Sequence, residues 1–145
     1  MKEILKNPSH RILLFEAGEE IMAGLKAYAE QELIQSAWVN LLGAADELTL
    51  GYYHLQAKSF EKHELREDVE ILGVMGNIAW INGEAALHLH GTFGKSDLSV
   101  IGGHIFSMKI SVVGEVHLQV FDEKIERAMD EKLRLNVFQC GISTV

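Results

Sequence analysis

The stretch VMGNIAWINGEAALHLHGTF, residues 74–93, decides the fold. Asn82-Gly83 stands between two apolar runs, and both residues accept the positive φ that a two-residue hairpin turn requires. VMGNIAWI (74–81) and EAALHLHGTF (84–93) are therefore predicted as adjacent antiparallel strands. Side chains alternate across a strand, so His88 and His90 leave one face with Cα atoms about 7 Å apart. Leu87 and Leu89 point the other way, into a core.

Working outward, KHELREDVEIL and its neighbours over 60–71 are charged and mixed, an exposed strand or loop leading into the hairpin. AWVNLLGAA (37–45) and ELTLGYYHL (47–55) read as two strands with a turn near Ala45-Asp46-Glu47. RILLF at 11–15 is a short buried strand. Ile21, Met22, Leu25, Tyr28, Ala29 and Leu33 recur at mainly three- and four-residue spacings, predicting an amphipathic helix over about 19–33. Glu19 and Glu20 lie at its positive end. Gly24 within it costs about 1 kcal/mol against Ala, which suggests close packing against a neighbour.

Beyond the hairpin, LSVIGGHIF (98–106) and KISVVGEVHLQV (109–120) give two more strands. In the second, Ile110, Val112, Gly114, Val116, Leu118 and Val120 share one face, and Ser111, Val113, Glu115, His117 and Gln119 the other. Asp122 is expected to cap a short helix with Ile125, Ala128, Met129 and Leu133 as its stripe, and RLNVF (134–138) to form a last strand. The expected fold is α+β: one domain over 1–145, a central, mainly antiparallel sheet flanked by two helices.

Composition sets limits on function. The 145 residues are 48% hydrophobic and 23% charged, the balance of a globular chain, with an expected radius of gyration of roughly 15 Å. Thirteen Lys and Arg against 21 Asp and Glu give a formal net charge of −8, the wrong sign for affinity built on neutralising phosphates. The one cysteine, Cys140, excludes an intramolecular disulfide framework and an all-cysteine zinc site. The apolar segment Ile12–Phe15 is too short for a signal-peptide core, and no run approaches the roughly 20 apolar residues of a membrane helix. A cytoplasmic chain with no membrane or nucleic-acid partner is the expectation.

The residues with chemistry are histidines. His104 follows Gly102-Gly103, where missing side chains let another group approach closely. If its strand meets that of His88 and His90, within the chain or across a subunit boundary, three imidazoles share a site and leave a fourth metal position open. Zn2+ is the leading ion, and imidazoles also suit Ni2+, Cu2+ and Fe2+. The alternative is a set of polar residues on a wet sheet face. Glu115 and His117 share a strand face and could supply a general base or support a metal ligand. Asp97, between the histidine strands, could orient a ligand or simply form a turn. Trp38, Trp80, Tyr52, Tyr53 and Phe93 read as core or interface aromatics, since no cations interleave with them.

GEEI (18–21), VEILGVMGNI (69–78), LHLHGTF (87–93), IGGH (101–104) and VVGEVHLQV (112–120) together resemble the plants-and-prokaryotes-conserved (PPC) domain family, over about residues 10–138. The resemblance implies a central antiparallel sheet, a homotrimer, and His88, His90 and His104 as metal ligands. In plants the domain follows a basic AT-hook that enters the minor groove, and prokaryotic members are often called DNA-binding proteins by that association. This chain lacks such a motif; its only proline is in Lys-Asn-Pro-Ser. Four functions therefore compete: a trimeric metal protein, a DNA-binding regulator, a small-ligand or assembly module whose histidines only line a pocket, and a metal-assisted hydrolase with Glu115 as base.

Overall fold

The computed structural model describes residues 1–139. Cys140, and with it the reading of cysteine chemistry, lies outside the described residues. Along the chain run β1 (Lys2–Lys6), β2 (His10–Glu16), α1 (Ile21–Gln31), β3 (Ser36–His54), β4 (Ser59–Ile81), β5 (Glu84–Gly94), β6 (Val100–Phe121), β7 (Arg127–Asp130) and β8 (Leu135–Phe138). The first six strands form one antiparallel sheet in the order β1-β2-β6-β3-β4-β5. The start of β6 also pairs with the end of β5, which closes β3, β4, β5 and β6 into a ring.

The predicted hairpin is present. Ile81 pairs with Glu84 across a turn in which Asn82 has φ 51° and Gly83 φ 87°. Three pairs of shorter expected strands are instead single long ones. β3 passes through Ala45-Asp46-Glu47 as a bulge, not a turn. Gly43 has φ 145°, and a Cβ there would lie 2.0 Å from the Val113 carbonyl oxygen, so the strand bends where only glycine fits. β4 runs unbroken through the charged 60–71 segment, and β6 joins 98–106 to 109–120. Bulges shift the alternation along β6: Val116 and Leu118 are buried as expected, whereas Val112 is 67% exposed.

The helix is shorter than its apolar stripe. It stops at Gln31, and Leu33, with φ 52°, projects into solvent. Its start is set by Glu20, whose carboxylate accepts from the Ala23 N–H at 2.6 Å and from the Met108 N–H at 2.9 Å. Gly24 packs as expected: a Cβ there would sit 2.5 Å from the Phe15 ring. Ile21, Leu25, Tyr28 and Ala29 cover one face of the sheet, whose core includes Phe15, Leu89, Phe93, Ile105 and Met108.

The second expected helix, after Asp122, is absent. That segment enters the small β7–β8 hairpin, so α1 is the sole α-helix among the described residues and the sheet is not flanked by two. The apolar spacing of Ile125, Ala128, Met129 and Leu133 suits a helix, but other bonds compete. The Asp130 carboxylate accepts from the Lys132 and Leu133 N–H groups and turns the chain. The Ile125 carbonyl accepts from the Trp80 N–H at the end of β4, and Tyr53 donates its hydroxyl to the Leu133 carbonyl. The strand expected at 134–138 is β8.

Candidate metal centre

His88, His90 and His104 converge. The Cα partners in the β5–β6 ladder are His90 and His104, so the seam that closes the ring is also what unites them within one chain. The Nε2 atoms of His88 and His90 are 3.1 Å apart, and Nδ1 of His104 lies 3.4 Å from Nε2 of His90. One ring nitrogen from each falls within 4.8 Å of the others. Tetrahedral coordination with N–metal distances of about 2.0–2.1 Å requires nitrogens roughly 3.3 Å apart; both spacings to His90 match this and the third lies within 4.8 Å, so the donor types and their convergence suit a small divalent ion.

The two glycines before His104 act on the backbone. A Cβ on Gly102 would lie 2.6 Å from the Gly91 carbonyl oxygen, and one on Gly103 would lie 2.9 Å from that of Gly51. The group they admit is therefore the neighbouring strand on either side, which brings His104 up against His90.

Burial disfavours the charged form of two of the rings, His88 and His104. The His104 ring packs against Phe60 and Phe106, with centroids 4.9 and 4.8 Å away. Desolvation, then the neighbouring histidines, push its pKa down to about 4. His88 is also lowered, first by burial and then by the Arg127 guanidinium and His90. Neutral imidazoles are the form that binds metal.

The cluster opens into a cavity of about 910 Å³. Tyr53, Phe60 and Gly51 wall it on one side, Asn77 and Leu87 on another, and Arg127, Leu135 and Phe138 of the terminal hairpin on a third. Arg127 Nη2 donates to Asn77 Oδ1 at 2.9 Å and lies 3.2 Å from His88 Nδ1, while Nη1 donates to the Asn136 carbonyl at 2.9 Å. Its guanidinium stacks 4.1 Å from the centre of the Phe138 ring. No motif marks Arg127, and the helical spacing of its segment points away from the site; only the fold of the hairpin brings it to His88.

The other candidates stand elsewhere. His117 pairs with Asn40, Asn40 with Met75, and Met75 with His90, so His117 is three strands from the cluster. Glu115 and His117 line a separate groove of about 390 Å³ with Ile12, Leu42, Leu72 and Met75. The Asp97 carboxylate accepts from the Ser99 N–H at 2.9 Å, forming a turn. Of the remaining histidines, His10 stacks on His117 at 5.3 Å, and His54 and His63 both meet Glu61. Tyr53 lines the cavity, whereas Phe93 is fully buried.

Among the described residues no helix is long and apolar enough to cross a membrane. No curated protein matches the chain. Solved structures do. A supposed DNA-binding protein from Bacteroides thetaiotaomicron is 32% identical, with 95% of this chain and 96% of that one covered and a TM-score of 0.91. Another so named, from Ralstonia eutropha, is 27% identical over 94% of each chain, with a TM-score of 0.87. A metal-containing protein from Archaeoglobus fulgidus is 28% identical over 96% of this chain and 99% of that one, with a TM-score of 0.84. The model of the Plants and Prokaryotes Conserved (PCC) domain matches residues 6–122, and the chain belongs to that family.

Proposed function

We propose that this chain is a metal-binding member of its family, holding a divalent ion, zinc first among them, on His88, His90 and His104, and binding a small ligand in the adjoining cavity. The observation that carries the reading is the nitrogen spacing of 3.1 and 3.4 Å among three imidazoles contributed by two paired strands. The name of the Archaeoglobus relative, a metal-containing protein, supports it. An ion held on these three imidazoles would leave a further position for water or ligand and would supply Lewis acidity there. Nothing in the placement of Glu115 supports it as the base of a hydrolase.

Metal analysis of untagged protein, beside the His88→Ala/His90→Ala double variant, tests this. About one equivalent of zinc or another transition metal in the wild type and little in the variant is expected. Equal, negligible metal in both overturns it.

A homotrimer is part of the same reading. Its support is an outer groove in which Leu42, Leu72 and Met75 are each more than half exposed. Light scattering should give three times the chain mass, and Leu42→Glu should lower it; a monomeric wild type removes the trimer. Cytoplasmic residence also belongs to this reading. The surface lends a duplex-DNA ligand no support. Lys2, Lys6, Lys26, Lys95, Lys109 and Lys124 each pair with a carboxylate, leaving fewer cations for phosphates.

A further inference from the structure

The cavity beside the histidines carries a single formal charge. Among the described residues lining it there is no Asp, Glu or Lys, and Arg127 is the only Arg. A guanidinium has five N–H donors. The contacts to Asn77, Asn136 and His88 engage three, which leaves two. The Nε group is buried and has no acceptor. A half-buried cation with unmet donors, in a wall that holds no other formally charged side chain and in a protein of net charge −8, is a place for an anion. Repulsion from the rest of the surface would exclude anions from most other places on the molecule.

The wall narrows the choice further. Among the described residues that line the cavity Arg127 is the one cation, so the protein alone matches a single negative charge, whereas a phosphate dianion would also call on the metal. Phe60, Tyr53, Leu87, Leu135 and Phe138 make the remaining surface largely apolar and aromatic. We propose that this cavity binds a small monocarboxylate with an aryl or alkyl body, its carboxylate held by Arg127 at the edge of the three-histidine cluster. Arg127, Leu135 and Phe138 lie beyond residue 122, where the family match ends, so part of the ligand choice is carried by sequence outside the matched domain.

The proposal rests on the metal reading in one respect. As it stands, Arg127 Nη2 faces His88 Nδ1 at 3.2 Å, a donor opposite a ring nitrogen that can accept. Metal on His88 Nε2 requires the ring proton on Nδ1. The contact then sets donor against donor, so the two groups must part, and both N–H groups become available to a carboxylate oxygen that enters the gap. Metal and carboxylate should therefore favour each other.

Ligand-observed NMR titration with phenylacetate, and with neutral 2-phenylethanol as its uncharged counterpart, tests this on the full chain with and without zinc. Phenylacetate should bind the zinc-loaded protein, severalfold more weakly the zinc-free protein, and about tenfold or more weakly the Arg127→Gln variant. Binding of 2-phenylethanol should be unchanged by Arg127→Gln, which shows that the variant keeps its cavity; Arg127→Lys should recover part of the phenylacetate affinity. Phenylacetate binding that ignores Arg127→Gln, or no binding at all, overturns the proposal even if zinc is bound. Equal affinity with and without zinc overturns the coupling. A wild type that takes up no zinc but binds phenylacetate through Arg127 supports the carboxylate site and leaves only the metal reading refuted.

Discussion

Arg127 Nη2 lies 3.2 Å from Nδ1 of His88, although 39 residues separate the two in the chain. The contact sets a permanent cation beside a candidate metal ligand and opposes the ring tautomer that a metal on Nε2 requires. Replacing Arg127 with Gln removes the charge and offers an amide oxygen that can accept from Nδ1–H. Zinc affinity, measured by competition with a chromogenic chelator, should rise about tenfold in Arg127→Gln. A fall in affinity would mean that Arg127 helps to hold the site.

Gly102 controls the seam between β5 and β6. Ala at this position places its Cβ 2.6 Å from the Gly91 carbonyl oxygen, and backbone must move to relieve the overlap. Gly102→Ala should cost about 1–3 kcal/mol in urea unfolding and weaken metal uptake, because the displaced strand carries His104 away from His90. Full metal uptake at unchanged stability would contradict this role.

Glu20 joins the helix to the sheet through two backbone bonds, to Ala23 at 2.6 Å and to Met108 at 2.9 Å. Glu20→Ala leaves both donors without a partner and should destabilise the fold by about 1–3 kcal/mol. Chemical denaturation with an unchanged slope is the check, and a loss below a few tenths of a kcal/mol would show that water replaces the carboxylate.

In zinc-free protein, His104 should stay neutral to about pH 4, because burial disfavours its charged form. The unfolded ring titrates near 6.5, so on acidification the unfolded chain takes up this proton first. The His104 contribution to stability is therefore complete above about pH 6.5 and is lost progressively as the pH falls toward about 4. NMR titration of the ring resonances reports this directly, and a midpoint near 6.5 would contradict it.

How far the fold was legible follows from which interactions are local. Asn82-Gly83 fixes a turn by its own backbone preferences, and the alternation around His88 and His90 follows from strand geometry, so the hairpin and the HxH pair could be read without a partner in view. The expected break at Ala45-Asp46-Glu47 is a bulge because β6 pairs with β3 on both sides of it, which local sequence does not reveal. The missing helix after Asp122 has the same origin. Its backbone is claimed by Trp80 and its approach by Tyr53, residues from other strands. Arg127 carries no local mark for the same reason, and the strand face that Glu115 shares with His117 says nothing about which strand lies three positions across the sheet.

The three-histidine centre is tested most directly by crystals of untagged protein, with data collected on both sides of the zinc absorption edge. A single anomalous peak bonded to His88, His90 and His104, at about 2.0–2.1 Å from each coordinating nitrogen, is expected. A peak held by other residues, or none in protein crystallised with excess zinc, would contradict the assignment.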